Sequence, residues 1–211
     1  MLNVPRVILC PCIDSFVQKF DTHCKFCNPI ANFDMFMEGN MKLEEASLNP
    51  PYGLRELLTD VGGGENGFSG TLFNNGQVSL ESYLKSCCDG KDVLKLKPNW
   101  IPQTIFWLLD TYSKVVGMIR VRHYLSESTR INGGHIGFFI HSSHRRKGYG
   151  KQALALALDE LKKLGETEAL VTAYPENLAS IKVIEANGGQ LENTIFDPRT
   201  EHDIARYWIR L

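Results

Sequence analysis

The residues with the most chemistry in this sequence stand together, as Ile140-His-Ser-Ser-His-Arg-Arg-Lys-Gly-Tyr-Gly-Lys151. Gly148 and Gly150 remove side chains that would keep a ligand from the backbone. If a helix opens there, the amides of about residues 146–151 point outward at the positive end of its dipole. Arg145, Arg146, Lys147 and Lys151 add charge to that nest, and Tyr149 lies within it. Hydrogen bonds from such amides to charged oxygens contribute roughly 1.5–3 kcal/mol each, and a diphosphate is the natural guest. Two familiar diphosphate loops fit poorly. The Gly-x4-Gly-Lys-[Ser/Thr] form fails because Gln152 follows Gly150-Lys151 and Arg145 stands where the first glycine belongs. Gly148-x-Gly150-x-x-Ala153 matches a dinucleotide-binding turn on paper. That turn follows a first strand and needs an acid at the end of the next, where Val171-Thr-Ala-Tyr174 offers none.

The loop needs a strand before it and a helix after it. His135–Ile140 is β-rich, and residues 151–164 put Ala153, Leu154, Ala157, Leu158, Leu161 and Leu164 on one helical stripe ended by Gly165. Upstream, residues 104–109 and 115–122 flank Asp110–Lys114 as a hairpin. Downstream come a strand at 169–173, a helix at 177–186 closed by Asn187-Gly188-Gly189, and strands at 190–196 and 205–211. Leu54–Leu58 and Leu80–Leu84 have helical spacing, the latter capped by Ser79, and Gly62–Phe68 between them reads as a loop. Trp107 and Trp208 are expected in the core, whereas Arg120 and Arg122 alternate along a strand and are expected in solvent. The order predicts an α/β (α+β) domain, a sheet with helices packed on it.

The whole chain sets the bounds. Its 211 residues allow one domain with extras. Lys+Arg is 23 against Asp+Glu 24, so no global basic field is available for nucleic acid or an anionic membrane, and an anion site must be local. No apolar run approaches a membrane span, and the first residues are too weakly apolar for a secretory signal, which makes the cytoplasm the default location. Residues 1–40 are expected to be an irregular extension, with Met41 a candidate natural start. Cys10, Cys12, Cys24 and Cys27 fall in that extension; Cys10-Pro11-Cys12 is too short for a zinc knuckle, so reduced thiols are expected rather than a metal site.

Arg145-x-x-Gly148-x-Gly150 after a strand and opening an amphipathic helix resembles the acetyl-CoA pyrophosphate loop of the GNAT acetyltransferase superfamily. Asn177-Leu-Ala-Ser180 on the next helix looks like that superfamily's Asn-x-x-Ser motif, and Val116-Gly117-Met-Ile fits its glycine-bearing strand. Gly133-Gly-His-Ile-Gly137 and Arg206-Tyr-Trp-Ile are similar to a poorly characterised bacterial subgroup. The likeness is close over 104–211 and loose over 41–103. It implies a GNAT fold: a mixed, mostly antiparallel sheet with flanking helices, in which 41–103 forms the acceptor side and 104–211 the acetyl-CoA side.

The resemblance also implies an N-acetyltransferase, with acetyl-CoA as co-substrate and a small-molecule or peptide amine attacking directly in a ternary complex. A non-catalytic acyl-CoA sensor on the same fold is the alternative. By position, Arg145 to Lys151 would hold the diphosphate, the backbone of Phe138 and Ile140 would pair with the pantetheine arm, and Asn177 and Ser180 would lie near the thioester. The tyrosine that many members use as acid is replaced by Ile184, which leaves Ser180, water or, more weakly, Tyr174. His135 is the first candidate base and Glu65 the second, while His141 and His144 are expected to serve the loop's surface. A homodimer is compatible with the fold, although the sequence shows no interface, and it does not name the acceptor.

Overall fold

Continuous apolar runs on both sides of a turn build the centre of the molecule. In the computed structural model, which describes residues 41–71, 73 and 76–211, β4 (Gln103–Leu109) and β5 (Val115–Arg122) form that hairpin. Asp110 Oδ1 closes the turn by accepting from the amides of Tyr112 and Lys114, both at 2.9 Å. β1 (Lys42–Glu45) pairs with β4 and β6 (Ile136–Ile140) with β5, giving an antiparallel sheet in the order β1-β4-β5-β6. The chain divides between Glu38 and Gly39, and the cysteines expected to be free thiols at 10–27 lie outside the described residues, as does the irregular extension.

Both faces of this sheet are covered. Ile105, Trp107, Leu109 and Met118 pack against α1 (Leu54–Val61) and α2 (Leu80–Asp89). Phe106, Leu108, Ile119 and Val121 pack against Ala153, Leu154, Ala157 and Leu161 of α4 (Tyr149–Lys163). Each fully buried side chain of this kind contributes roughly 1.5–3 kcal/mol of transfer free energy. A second antiparallel sheet holds β7 (Glu168–Ala173), β8 (Gln190–Asp197) and β9 (His202–Arg210), with β9 in the middle. The helix α5 (Leu178–Glu185) stands between β7 and β8 in the chain.

The elements follow the sequence pattern with several differences, among them the strand β1. The segment at 62–68 is a short hairpin, β2 (Gly64–Glu65) with β3 (Phe68–Ser69), turned by Asn66-Gly67, both at positive φ. Asn-Gly is the residue pair such a two-residue turn requires. A short helix, α3 (Glu127–Ile131), is held by a capping box between Ser126 and Thr129. Trp208 is only partly buried and donates from Nε1 to Glu192 Oε2 at 3.0 Å, unlike Trp107, which is in the core. Arg120 and Arg122 are not solvated. With helices on both faces of β5, neither face is open to water, and both arginines are partly buried.

The two sheets meet at one place. The amide of His135 donates to Leu170 O at 2.7 Å, and the Leu170 amide returns a bond to His135 Nδ1 at 2.9 Å. Gly134 permits the approach, since a Cβ there would stand 2.3 Å from Leu170 O. Beyond that point β6 and β7 belong to separate sheets with a gap between them, and a cleft runs along β6.

Candidate active site

The backbone of β6 has one side for its neighbour and one for the gap. His135 O accepts from Arg122 and the His141 amide donates to Val116 O, so the odd-numbered residues address β5. By the alternation of a strand, Phe138 and Ile140 turn their N–H and C=O groups toward the gap. Ile140 O there accepts a bond from Arg145 Nε at 3.0 Å.

The loop after β6 is fastened from the opposite face. Asp60 at the end of α1 accepts from the Ser142 amide at 2.7 Å and from its hydroxyl at 2.8 Å. Burial would raise the Asp60 carboxyl, but these two bonds outweigh it and hold it below its ordinary value. Arg145 lies over the Phe139 ring and forms an ion pair with Glu65, so its guanidinium braces the loop to the β2–β3 hairpin. Gly148, at φ 79°, is the N-cap of α4. Its amide oxygen receives the Lys151 amide at 3.1 Å and the Gln152 amide at 3.3 Å, which leaves the earlier amides of the helix mouth without an intrahelical acceptor. Gly150 serves packing: a Cβ there would stand 3.2 Å from Val183 and 3.8 Å from Phe138. Tyr149 stacks on His144, whose imidazole burial and the nearby Lys147 keep below its usual pKa.

A cleft of about 410 Å³ runs from this loop along β6 to the start of α5. Every residue expected to hold a cofactor lines it except Lys147, which is exposed outside it. Glu65 and His144 line it as well. At its inner end it meets a smaller pocket of about 70 Å³, the two sharing Phe138, Asn177 and Ser180. Asn177 caps α5, with Oδ1 accepting from the Ser180 amide at 3.1 Å and Nδ2 donating to Ser180 Oγ at 2.9 Å. These two bonds fix the orientation of the amide, and because Oγ accepts, the Ser180 proton is free to be donated elsewhere.

His135, the first candidate base, is not in the site. It is 3% exposed, lines neither cavity, and its Nδ1 is committed to the Leu170 amide. Burial, with Arg130 and Arg122 nearby, lowers its pKa to about 4. Its proton is therefore on Nε2, toward Glu166 at 3.9 Å, and the residue joins the two sheets rather than serving a reaction. Ile184 is fully buried in the core, so its helix position offers nothing to the cleft. Tyr174 lines the smaller pocket and stacks on His202. The wall residues not singled out as site residues from sequence include Phe68 and Asn66 on the β2–β3 hairpin, and Arg120. The Asn-Gly turn was the available signal for the first two. For Arg120 there was none, because its strand's second covered face is a tertiary fact.

The cleft thus joins a split sheet to a basic, amide-rich helix mouth. The comparisons give the family. The model of the acetyltransferase (GNAT) family matches residues 80–188, just over half the chain. The chain therefore belongs to the GNAT acetyltransferase family, and it is an acyltransferase of that kind. Similar solved structures include the GNAT-family acetyltransferase of Bacillus anthracis, at 17% identity and TM-score 0.58, covering 83% of this chain and 98% of that one. The Salmonella typhimurium acetyl transferase that modifies the N-terminal serine of ribosomal protein L7/L12 shows 13% identity and TM-score 0.57, over 81% and 95%. The yncA protein of Salmonella typhimurium, solved with its cofactor acetyl-CoA, shows 15% identity and TM-score 0.54, over 81% and 94%. These likenesses establish the GNAT fold. No curated protein matches the sequence. Among the described residues, no helix is long and apolar enough to cross a membrane, and no cluster of His, Cys, Asp or Glu is arranged to hold a metal.

Proposed function

We propose that the protein transfers an acetyl group from acetyl-CoA to a primary amine by direct attack. One observation carries the reading: a single cleft joins the basic helix mouth, the free edge of β6 and the Asn177–Ser180 pair. The amides ahead of Lys151, with Arg146 and Lys151, suit the diphosphate. Phe138 and Ile140 offer the pantetheine arm a strand edge, and a thioester at the end of that arm would come beside Ser180. Acetyl-CoA supplies an activated acyl group; the protein's part is to orient it, exclude water and provide a proton. The Ser180 hydroxyl, held by Asn177 with its hydrogen free, is the proton donor for the departing thiolate. The acceptor enters from the smaller pocket, whose lining includes no carboxylate or imidazole among the described residues. No base is supplied there, so the amine must arrive neutral.

Calorimetric titration of acetyl-CoA into wild type and into an Arg146→Glu, Lys151→Glu variant tests this. Binding should be lost in the variant and should weaken with salt, as phosphate contacts do. Absence of binding to the wild type sinks the reading. Release of free CoA in the presence of primary amines then separates an enzyme from the non-catalytic sensor, which would bind without turnover.

A further inference from the structure

Arg120 is in an unusual position for a charged side chain. It projects from β5 opposite Gly137 and lies under the Phe68 ring, its guanidinium carbon 5.3 Å from the ring centroid. Among the described residues it makes no hydrogen bond and no ion pair, and its Nε is buried without an acceptor. No carboxylate offsets its charge: burial lowers its pKa, and the groups acting the other way are the Tyr83 and Cys87 side chains. A withdrawn guanidinium left unpaired is destabilising unless something anionic completes it.

That completion can come from the smaller pocket, which Arg120 and Arg122 both line. Arg122 has its own structural task, donating from one terminal nitrogen to Gly133 O at 2.8 Å and Gly134 O at 2.9 Å, and adds a second positive charge. Burial and the neighbouring Arg120 bring Arg122 down to about 10, so it stays charged at neutral pH. The pocket has no acidic wall residue. Asp197 accepts a bond from the wall residue Asn132 but is already held by Arg199. Asn66, Asn132 and Tyr174 add polar groups at the rim. The volume of about 70 Å³ is several times the roughly 10–15 Å³ a single water requires, which is room for a carboxylate.

We propose that the acceptor is a small amine bearing a carboxylate, as in an amino acid, with the carboxylate on Arg120 and the amine at the Ser180 junction. This rests on the acetyltransferase reading above. A planar guanidinium receives a carboxylate through two parallel N–H bonds, which sets orientation as well as affinity. The reaction needs no further reagent: the amine nitrogen bonds to the acetyl carbon, the thioester C–S bond breaks, the nitrogen loses a proton and the thiolate gains one. Arg120 is then the residue that selects the acceptor, and it touches neither the thioester nor the diphosphate loop.

The test is a panel of free amino acids, each beside its carboxamide, assayed by CoA release, together with calorimetry of acetyl-CoA. The acids should exceed their amides at least tenfold in kcat/KM. Arg120→Gln should abolish that preference through KM and leave acetyl-CoA affinity unchanged, and Arg120→Lys should retain part of it. If the glutamine variant does not fold, the wild-type ratio of acid to amide decides alone. Amides used as well as acids, or acetyl-CoA bound with no acid turned over, overturns the proposal. Failure of wild type to bind acetyl-CoA overturns the underlying reading instead.

Discussion

At the residue scale, the chemistry condenses on Ser180. Its hydroxyl is oriented by Asn177 at 2.9 Å and opens on the junction of cleft and pocket. Ser180→Ala should lower kcat on the order of 10²-fold, the lower range for loss of a positioned proton donor, with little change in acetyl-CoA affinity. Equal loss of binding and of kcat would assign the residue to cofactor holding instead. With no imidazole or carboxylate in the acceptor pocket, kcat/KM should rise with pH as the acceptor's own ammonium deprotonates, and its midpoint should shift when acceptors of different amine pKa are compared. A fixed midpoint near 6.5 for all acceptors would place a histidine in the reaction.

At the element scale, the site depends on contacts between segments far apart in the chain. Asp60 on α1 holds Ser142 in the loop that leads to α4. Asp60→Ala should weaken acetyl-CoA binding about tenfold, the equivalent of about 1.4 kcal/mol, close to the lower end for one lost charged hydrogen bond. Unchanged affinity would mean that the loop keeps its form without that anchor. The periodic elements around the loop were legible in the sequence, because α4, β4 and β5 carry strong apolar repeats. So was the loop's place, since two glycines and four cations stand where a strand gives way to a helix. Glycine roles were less legible: Gly148 takes a left-handed backbone and Gly150 makes room for Val183, neither of which spacing alone distinguishes. The burial of Arg120 was hidden for a different reason. An alternating strand reads as half solvated, and only the packing of α1, α2 and the β2–β3 hairpin over its other face reverses that. His135 was misplaced in the same way, because a histidine at a strand's start looks alike whether it faces a cleft or a neighbouring strand.

At the scale of the whole molecule, the two sheets are joined by the His135–Leu170 contact, and it is sensitive to acid. His135 titrates near 4 when folded and near 6.5 when unfolded. Its neutral form is the one that accepts the Leu170 amide, so the stability it contributes is full above about pH 6.5. That contribution falls as pH drops through the interval toward 4, because the unfolded chain there binds the extra proton. The loss amounts to at most about 3 kcal/mol. Urea unfolding at pH 7.5 and pH 4.5 should show it in wild type and show less of it in His135→Gln. An identical pH slope in the two proteins would remove His135 from this role. Losing the contact should also loosen the gap on which the cleft depends.

The free side of β6 has one more consequence. A strand side with no partner strand is a place where a second polypeptide can add itself, the first step of edge-to-edge aggregation. Here that row is recessed, with the α4 mouth, the β2–β3 hairpin and the cap of α5 around the cleft it faces. An extended chain cannot lie along it, whereas a slender, flexible, unbranched molecule can. The enclosure that admits its ligand thus also guards the protein against self-association through the free side of β6.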